Sequence, residues 1–352
     1  MRPRGVIKRT PEDFLVDEIP AYEPSGTGDH VYIHFRKRGL NTDEVVRAIA
    51  KATGADPREC GVAGLKDKVA ITTQWISVLG RDPALEDRIR ALALDGVEIL
   101  DVKRHGNKLR TGHLKGNRFE IVVREVPGEA VPGALAAFEH LAKEGVPNAF
   151  GAQRFGKHGD TAERARAWLT GKERAPGDPR LRRLHFSALQ SAIFNAVLDE
   201  RVKDGSWIVP LDGDLLKKED TGGIFVCADV QADRERAAKG EVCPTGPILG
   251  DRMRQPEREA LALEQRIAAP FIEGIDLRRA RSLGEGTRRA LRLRVTETFA
   301  ELMNSAHDSG EQGSALRVRF VLPKGAYATT VLSNVFDVVD GTRESLRAED
   351  DE

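Results

Sequence analysis

The sequence has few cysteines, no excess of charge of either sign and no long apolar run. Its three cysteines (Cys60, Cys227 and Cys243) form no CxxC pair, which argues against a disulfide scaffold or a zinc ribbon and favours a reducing compartment. Lys plus Arg and Asp plus Glu each number 55, so any nucleic-acid site must be a local basic cluster. Because no apolar run reaches membrane length and the N-terminus lacks the apolar core of a signal peptide, we expect a soluble, cytoplasmic protein.

Alternating apolar and polar residues predict strands in four places. An amphipathic helix should follow the first of them, because Asn41 can cap it together with Glu44, and Gly54 can end it. The predicted strands are Val31–Phe35, Trp75–Val78, Arg118–Val126 and Ala315–Pro323.

The middle of the sequence has a different pattern. From about Thr161 to Arg294 it shows mainly helical periodicity and long loops, and its best helix is His185–Val202, with Ser187 and Gln190 as a capping box. This order predicts an α+β protein in which one domain is inserted into another. The acidic tail, residues 341–352, is expected to be disordered.

The strongest local charge signal is the segment Lys103–Arg118, which holds six Lys or Arg residues and no acid. It contains three glycines and leads into a predicted strand, so it should be an anchored basic loop that can contact phosphates. The alternative is an ordinary solvated loop. Two further basic runs are Pro179–His185 and Arg278–Arg294. The candidate backbone contacts are Lys103, Arg104, Lys108, Arg110, Lys115 and Arg118.

Two other patterns are weaker. Gly151–His158 fits G-x-x-x-x-G-K, but His158 stands where a nucleotide-binding loop needs Ser or Thr. A turn leading into a helix capped near Asp160 or Thr161 is the better interpretation. His30 and His34 share a face of a predicted strand, yet nothing nearby completes a metal site, so we predict no metal.

A single carboxylate, Asp67, lies between Lys66 and Lys68, after Gly61 and Gly64. Two neighbouring cations favour the ionised form of a carboxylate. Such a group can act as a nucleophile or as a partner for a developing cation. Taken alone, the same pattern is also typical of a charged turn.

Five segments together resemble the TruD family of tRNA pseudouridine synthases. They occur in the family's order between about Pro11 and Asn334, and five in register are far more specific than one. The segments are "PEDFLVDEIP" with "GTGDHVYIHFRKRGLNT", "AGLKDKVAITTQW" (Ala63–Trp75), "KLRTGHLKGNRFEI" (Lys108–Ile121), "GVPNAFGAQRFG" (Gly145–Gly156) and "LPKGAYATTVL" (Leu322–Leu332).

The resemblance implies an α+β pseudouridine synthase catalytic domain with a central mixed, largely antiparallel sheet, and an inserted, mostly helical TruD-specific domain. The implied boundaries are 1–146 with 297–340 for the first and 147–296 for the second. It also implies the substrate, a uridine in the D-arm of tRNA, usually uridine-13. No cofactor is implied, and we expect a monomer.

The resemblance further implies roles for individual residues. Asp67 matches the catalytic aspartate and Lys66 the basic residue before it. The uridine pocket is matched by Phe14, Asn117, Phe119 and Tyr327. The Asp67 carboxylate would attack C1′ or C6, or take the C2′ proton. Asn117 could read the uracil edge or hold Asp67, while Tyr327 could stack on the flipped base.

The sequence departs from the family pattern at several positions outside these matches. We expect the departures to affect substrate preference more than activity. They are Val62, Val69, His113, Ala149 and Ser333–Asn334, the last replacing a usual Arg-Glu pair. Besides the enzyme, two other functions remain open: an RNA-binding module without chemistry, and a nucleotide hydrolase using Gly151–His158.

Overall fold

A computed structural model describes residues 2–156, 158–303 and 313–342. The chain divides into two compact units, Met1–Glu144 with Arg294–Glu352 and Gly145–Leu293. The predicted acidic tail lies, from residue 343 onward, outside the described residues. No helix of the described ranges is both long and apolar enough to cross a membrane.

The regular elements are numbered in chain order. The strands are β1 (Arg4–Ile7), β2 (Phe14–Pro20), β3 (His30–Arg38), β4 (Gly61–Val62), β5 (Ile71–Leu79), β6 (Val97–His105), β7 (Leu114–Val126), β8 (Val146–Pro147), β9 (Leu215–Lys218), β10 (Ile224–Val226), β11 (Val242–Ile248), β12 (Thr287–Ala290), β13 (Arg292–Leu293), β14 (Thr296–Leu302), β15 (Ser314–Pro323) and β16 (Asp337–Asp340). The helices are α1 (Thr42–Thr53), α2 (Leu85–Arg90), α3 (Val131–Glu144), α4 (Thr161–Leu169), α5 (Pro179–Lys203), α6 (Val230–Ala238), α7 (Arg258–Ile272) and α8 (Ala328–Leu332).

The first unit is built on a mixed sheet. Seven strands follow the order β14-β15-β7-β2-β5-β3-β6, with β1, β16 and β4 attached at the side. The pairs β2–β5 and β1–β16 are parallel, and the other pairs in this sheet are antiparallel. The prediction of an α+β fold with a mixed, largely antiparallel sheet is confirmed.

Helix α1 packs one face on this sheet. Asn41 and Glu44 form the predicted capping box, and Gly54 ends the helix with φ 75°, a conformation that glycine adopts without steric cost. The face with Val45, Val46 and Ile49 is buried in a core that also contains residues of β3 and β5. This packing places the residues just before α1 and just before β5 over the same face of the sheet.

The strand register sets which side chains share that face. In β2, Phe14, Val16 and Glu18 lie opposite residues 121, 119 and 117 of β7. In β15, Leu322 lies opposite Asn117. Directly opposed residues of an antiparallel pair point to the same side, so the candidate residues of β2 and β7 lie on one face.

The second unit contains helices α4 to α7 and a sheet in the order β10-β9-β11-β12. Helix α5 begins at Pro179 with Asp178 as its cap. Ser187 lies inside this helix, so the prediction that it forms a capping box is wrong. The predicted helix start near Asp160 is confirmed for α4. The sequence did not predict this sheet, because β11 reads VCPTGPI and proline and glycine normally argue against a strand.

Candidate active site

Asp67 lies in the loop between β4 and β5, with its carboxylate at the surface. Its side chain is 57% exposed, and Oδ2 accepts a hydrogen bond from the Lys8 ammonium at 2.8 Å. Lys8 follows β1 directly and has φ 57°, an uncommon backbone conformation for a residue other than glycine. Its ammonium also lies 4.5 Å from the centre of the Phe14 ring. The cation that contacts the Asp67 carboxylate is therefore supplied by a residue distant in sequence.

Lys66 does not contact the Asp67 carboxylate. Its ammonium donates to Glu18 Oε2 at 2.8 Å, and the two side chains are only 6% and 1% exposed. Glu18 Oε1 also accepts from the main-chain N–H of Trp75 at 3.3 Å. This buried ion pair fixes the Asp67 loop onto β2, so Lys66 acts as an anchor in this structure.

The main chain of the loop is held at further points. Lys37, whose side chain is buried, donates to the carbonyl oxygen of Asp67 at 2.6 Å. Thr42 Oγ1 accepts from the Lys66 N–H at 3.0 Å and donates to Gln74, whose amide nitrogen donates to the Gly64 carbonyl. The backbone on both sides of Asp67 is thus fixed.

Burial lowers the pKa of Lys37 to about 8 from 10.5. The negative charges of Asp67 and Glu44 raise the pKa and the positive charge of Lys66 lowers it, but both effects are smaller than desolvation. Near neutral pH the group stays largely protonated, and it adds positive charge beneath the loop.

Phe14 and Phe119 are buried, as is Phe320. The Phe14 and Phe119 rings meet edge to face with centroids 6.2 Å apart, and Phe119 lies 5.6 Å from Phe320. Such edge-to-face pairs stabilise a core. In this structure the two predicted pocket aromatics form a wall of the interior beneath the site.

Asn117 is half-buried on the same face. Its Oδ1 atom is buried and has no hydrogen-bond partner within the described part of the chain. An unpaired buried acceptor is costly. The oxygen therefore keeps an unused acceptor among the described residues.

A chain of hydrogen bonds joins three segments around the loop. The N–H of Gly112, in the basic segment, donates to the carbonyl of Ala63 at 2.8 Å. Its carbonyl accepts from the Lys324 ammonium at 3.2 Å, and Tyr327 follows three residues later as the cap residue of α8, 56% exposed. The structure therefore brings the Asp67 loop, the basic segment and the turn that carries Tyr327 next to one another.

The six basic residues of Lys103–Arg118 differ in their environments. Arg104 pairs with Glu86 and donates to the carbonyls of residues 28, 80 and 82, so it is a structural anchor here. Lys103 pairs with Asp101, Arg118 pairs with Glu297, and Lys108 donates to the Arg58 carbonyl. Arg110 and Lys115 are exposed, and their side chains make no hydrogen bond or ion pair to the described residues.

The other patterns lie in the second unit. Within the run Arg278–Arg294, Arg288 is buried against Glu264, and Arg292 is buried near Glu219. In Gly151–His158, residues 152–155 form a 3-10 turn, and the Arg154 guanidinium donates to the hydroxyls of Ser187 and Ser191. Lys157 lies outside the described residues.

Three residues of the site were not predicted from the sequence: Lys8, Glu18 and Lys37. Lys8 and Lys37 reach Asp67 from 59 and 30 residues away in sequence. The available signals were the polar Glu18 within the apolar alternation of β2 and Lys37 within that of β3. A charged residue at a buried position of a strand must have a partner.

The mixed, largely antiparallel sheet with its packed helices places the first unit in the α+β class of proteins. A crystal structure from Methanosarcina mazei assigned to tRNA pseudouridine synthase D (TruD) superposes with a TM-score of 0.82 at 23% identity, covering 97% of this chain and 95% of that chain. A family model for tRNA pseudouridine synthase D (TruD) matches residues 3–175 and 176–335. The chain belongs to the tRNA pseudouridine synthase D family.

Curated relatives agree with this assignment. A tRNA pseudouridine synthase D from Anaeromyxobacter sp. (strain Fw109-5) is 47% identical over 335 residues, covering 93% of this chain and 91% of the relative. A tRNA pseudouridine synthase D from Thermus thermophilus is 39% identical over 335 residues, covering 95% of this chain and 89% of the relative. The resemblance noted from the five sequence segments is therefore confirmed.

Proposed function

We propose that this protein isomerises a uridine of tRNA to pseudouridine, at position 13 of the D-arm, with Asp67 as the catalytic carboxylate. The observation that carries the proposal is the surface carboxylate of Asp67, ion-paired with Lys8 on a loop whose backbone is fixed. Membership of the tRNA pseudouridine synthase D family and the names of the curated relatives support it.

The reaction breaks the C1′–N1 bond, turns the uracil and joins C5 to C1′; C5 loses its proton and N1 gains one. Asp67 would begin it by attacking C1′ or C6, or by taking the C2′ proton. All three routes use the Asp67 carboxylate, which the ion pair with the Lys8 ammonium holds in place. Product and substrate have the same composition and oxidation state, so we expect the reaction to need no cofactor.

The base must leave its stack to reach Asp67. We propose that Tyr327 stacks on the extruded uracil and that Asn117 Oδ1 accepts its N3–H. That this oxygen has no hydrogen-bond partner among the described residues supports this role, and the side chain would turn toward the base to reach it. Phe14 and Phe119 would shape the pocket floor, and Lys66 would act through the loop that it anchors.

The tRNA backbone would lie along the basic segment. Arg110 and Lys115 are the strongest candidates there, because their side chains are exposed and unpaired among the described residues. Lys103, Lys108 and Arg118 would have to exchange their present partners. A tRNA substrate would place the protein in the cytoplasm, where we expect it to act as a monomer. We assign the inserted domain, predicted as 147–296, to contact with the same tRNA.

The test is to incubate an unmodified tRNA transcript with the wild type, Asp67→Asn and Asp43→Asn, then map pseudouridine chemically. Asp43 is an exposed aspartate in the first turn of α1 and serves as the matched control. We expect product from the wild type and Asp43→Asn, none from Asp67→Asn, and similar tRNA affinity for all three. A folded wild-type protein that forms no pseudouridine in any tRNA would refute the proposed activity.

Two further arms separate the alternatives. A transcript with cytidine at position 13 should give no product, whereas product elsewhere would correct the position. Unchanged tRNA binding without pseudouridine in any variant would favour a binding module. Turnover of ATP would favour the hydrolase at Gly151–His158.

A further inference from the structure

Leu65 is an exposed apolar side chain two residues before Asp67. It is 69% exposed, more than Tyr327. Exposure alternates along the loop, because the Lys66 side chain between them is 6% exposed and that of Asp67 is 57% exposed. Leu65 and Asp67 therefore face outward together, and their Cα atoms can lie at most roughly 7 Å apart.

The loop holds Leu65 in this position. Lys66 is fixed through its N–H to Thr42 and through its ammonium to Glu18. On the other side of Leu65, the Gly64 carbonyl accepts from Gln74 at 3.3 Å. The residues on both sides of Leu65 are thus fixed. A solitary exposed leucine is ordinary on a protein surface, but this one is carried by an anchored backbone two residues from a surface carboxylate.

If the target uridine reacts at Asp67, the side chain of Leu65 lies next to the base stack that the uridine leaves. A nucleotide that reaches the carboxylate leaves a gap in its base stack, and unstacking costs a few kcal/mol. Proteins that open a stack frequently insert an apolar side chain such as leucine into it. Leu65 is compact, apolar and adjacent to the place where the base must go, whereas the neighbouring exposed residue Lys68 carries a charge.

We infer that Leu65 enters the RNA stack at the position that the target uridine leaves, and packs against the neighbouring base. The inference rests on the proposed function, since it takes Asp67 as the destination of the uridine. Leu65 is thus a positioning residue that contacts the base left in the stack, whereas Tyr327 stacks on the extruded uracil.

The experiment compares Leu65→Ala with Leu79→Ala, a matched exposed leucine at the end of β5. The first probe is a tRNA transcript carrying 2-aminopurine beside the target uridine, whose fluorescence rises when the base unstacks. Both variants are also prepared with Asp67→Asn, so that fluorescence is read without turnover. We expect the rise to survive Leu79→Ala and to be lost in Leu65→Ala.

The second probe is kcat/KM on two transcripts, one native and one whose target uridine is already unpaired and unstacked. Leu65→Ala should lower kcat/KM on the native transcript by about tenfold or more, because the variant loses the apolar surface that the leucine would bury between the bases. On the second transcript the loss should be less than about threefold, because no stack has to be opened. Unchanged thermal unfolding would show that the exposed side chain is not needed for folding.

Equal losses on the two transcripts, or a full fluorescence rise with Leu65→Ala, would overturn the inference. Failure of the proposed function looks different: the wild type would form no pseudouridine on either transcript. The fluorescence comparison requires no chemistry, so it decides the role of Leu65 in that case too.

Discussion

Replacing Lys66 by methionine should lower the unfolding temperature of the first unit markedly. The substitution keeps much of the side-chain volume and removes the ammonium. Among the described residues, it leaves the Glu18 carboxylate, 1% exposed, with one donor, the main-chain N–H of Trp75. A buried charge without its partner is strongly destabilising, because the carboxylate has lost water without a compensating cation.

The magnitude follows from the burial of the pair. Breaking a buried ion pair by removing one partner costs about 3–5 kcal/mol. For a unit of about 200 residues, each kcal/mol shifts Tm by about 2–4 °C. We therefore expect a decrease of roughly 6–20 °C.

The assay is thermal unfolding of Lys66→Met beside Lys68→Met, whose exposed side chain should cost less than about 0.5 kcal/mol. The double variant Glu18→Gln with Lys66→Met should recover part of the loss, because no buried charge remains. Equal stability of the two lysine variants would refute the reasoning. Loss of pseudouridine formation without loss of stability would instead make Lys66 a direct participant.

Three further predictions concern charges near the site. Lys8→Met should lower kcat by roughly tenfold, since it removes a charge-assisted hydrogen bond to Asp67, and should leave tRNA affinity nearly unchanged. Single-turnover kinetics measures the rate, and an unchanged rate would contradict this prediction. Burial lowers the pKa of Lys37 to about 8 from 10.5, so between these pH values the unfolded chain binds more protons than the folded one. The free energy of unfolding of the wild type, measured in urea, should therefore rise with pH across this window relative to that of Lys37→Met. A parallel pH dependence in both would argue against it. Changing Arg110 and Lys115 to glutamine should flatten the dependence of log Kd on log salt by up to about 0.9 per contact, and an unchanged slope would remove them from the RNA interface.

Predictions from the sequence succeeded where one face of an element is buried. The alternation in β15 is matched by full burial of Leu316, Val318, Phe320 and Leu322, and the periodicity and caps of α1 likewise determine its ends. The sheet of the second unit was not predicted, because the prolines and glycine of β11 hide its extended conformation. Local pattern identifies an element only when burial selects that pattern.

The site was predicted less completely than the fold. The charged neighbours of Asp67 in sequence made it a candidate, but the adjacent Lys66 is not its partner in this structure. The ammonium of Lys66 pairs with Glu18, and the ammonium of Lys8 pairs with Asp67. The side chains of these two neighbours have different environments, since that of Lys66 is 6% exposed and that of Asp67 is 57% exposed. Long-range partners such as Lys8 and Lys37 depend on strand order, which periodicity does not reveal.

The pairing of β1 with β16 has a consequence for synthesis on the ribosome. Residues 4–7 form their parallel ladder with residues 337–340, while β1 meets β7 at one pair, Val6 with Arg124. Lys8 takes its place beside Asp67 directly after β1. A chain that has not yet made residues 337–340 lacks this ladder, which is the longer of the two strand pairings of β1. The Lys8–Asp67 ion pair therefore depends on strands that are more than 300 residues apart in sequence, and it can be complete only after residues 337–340 have been made.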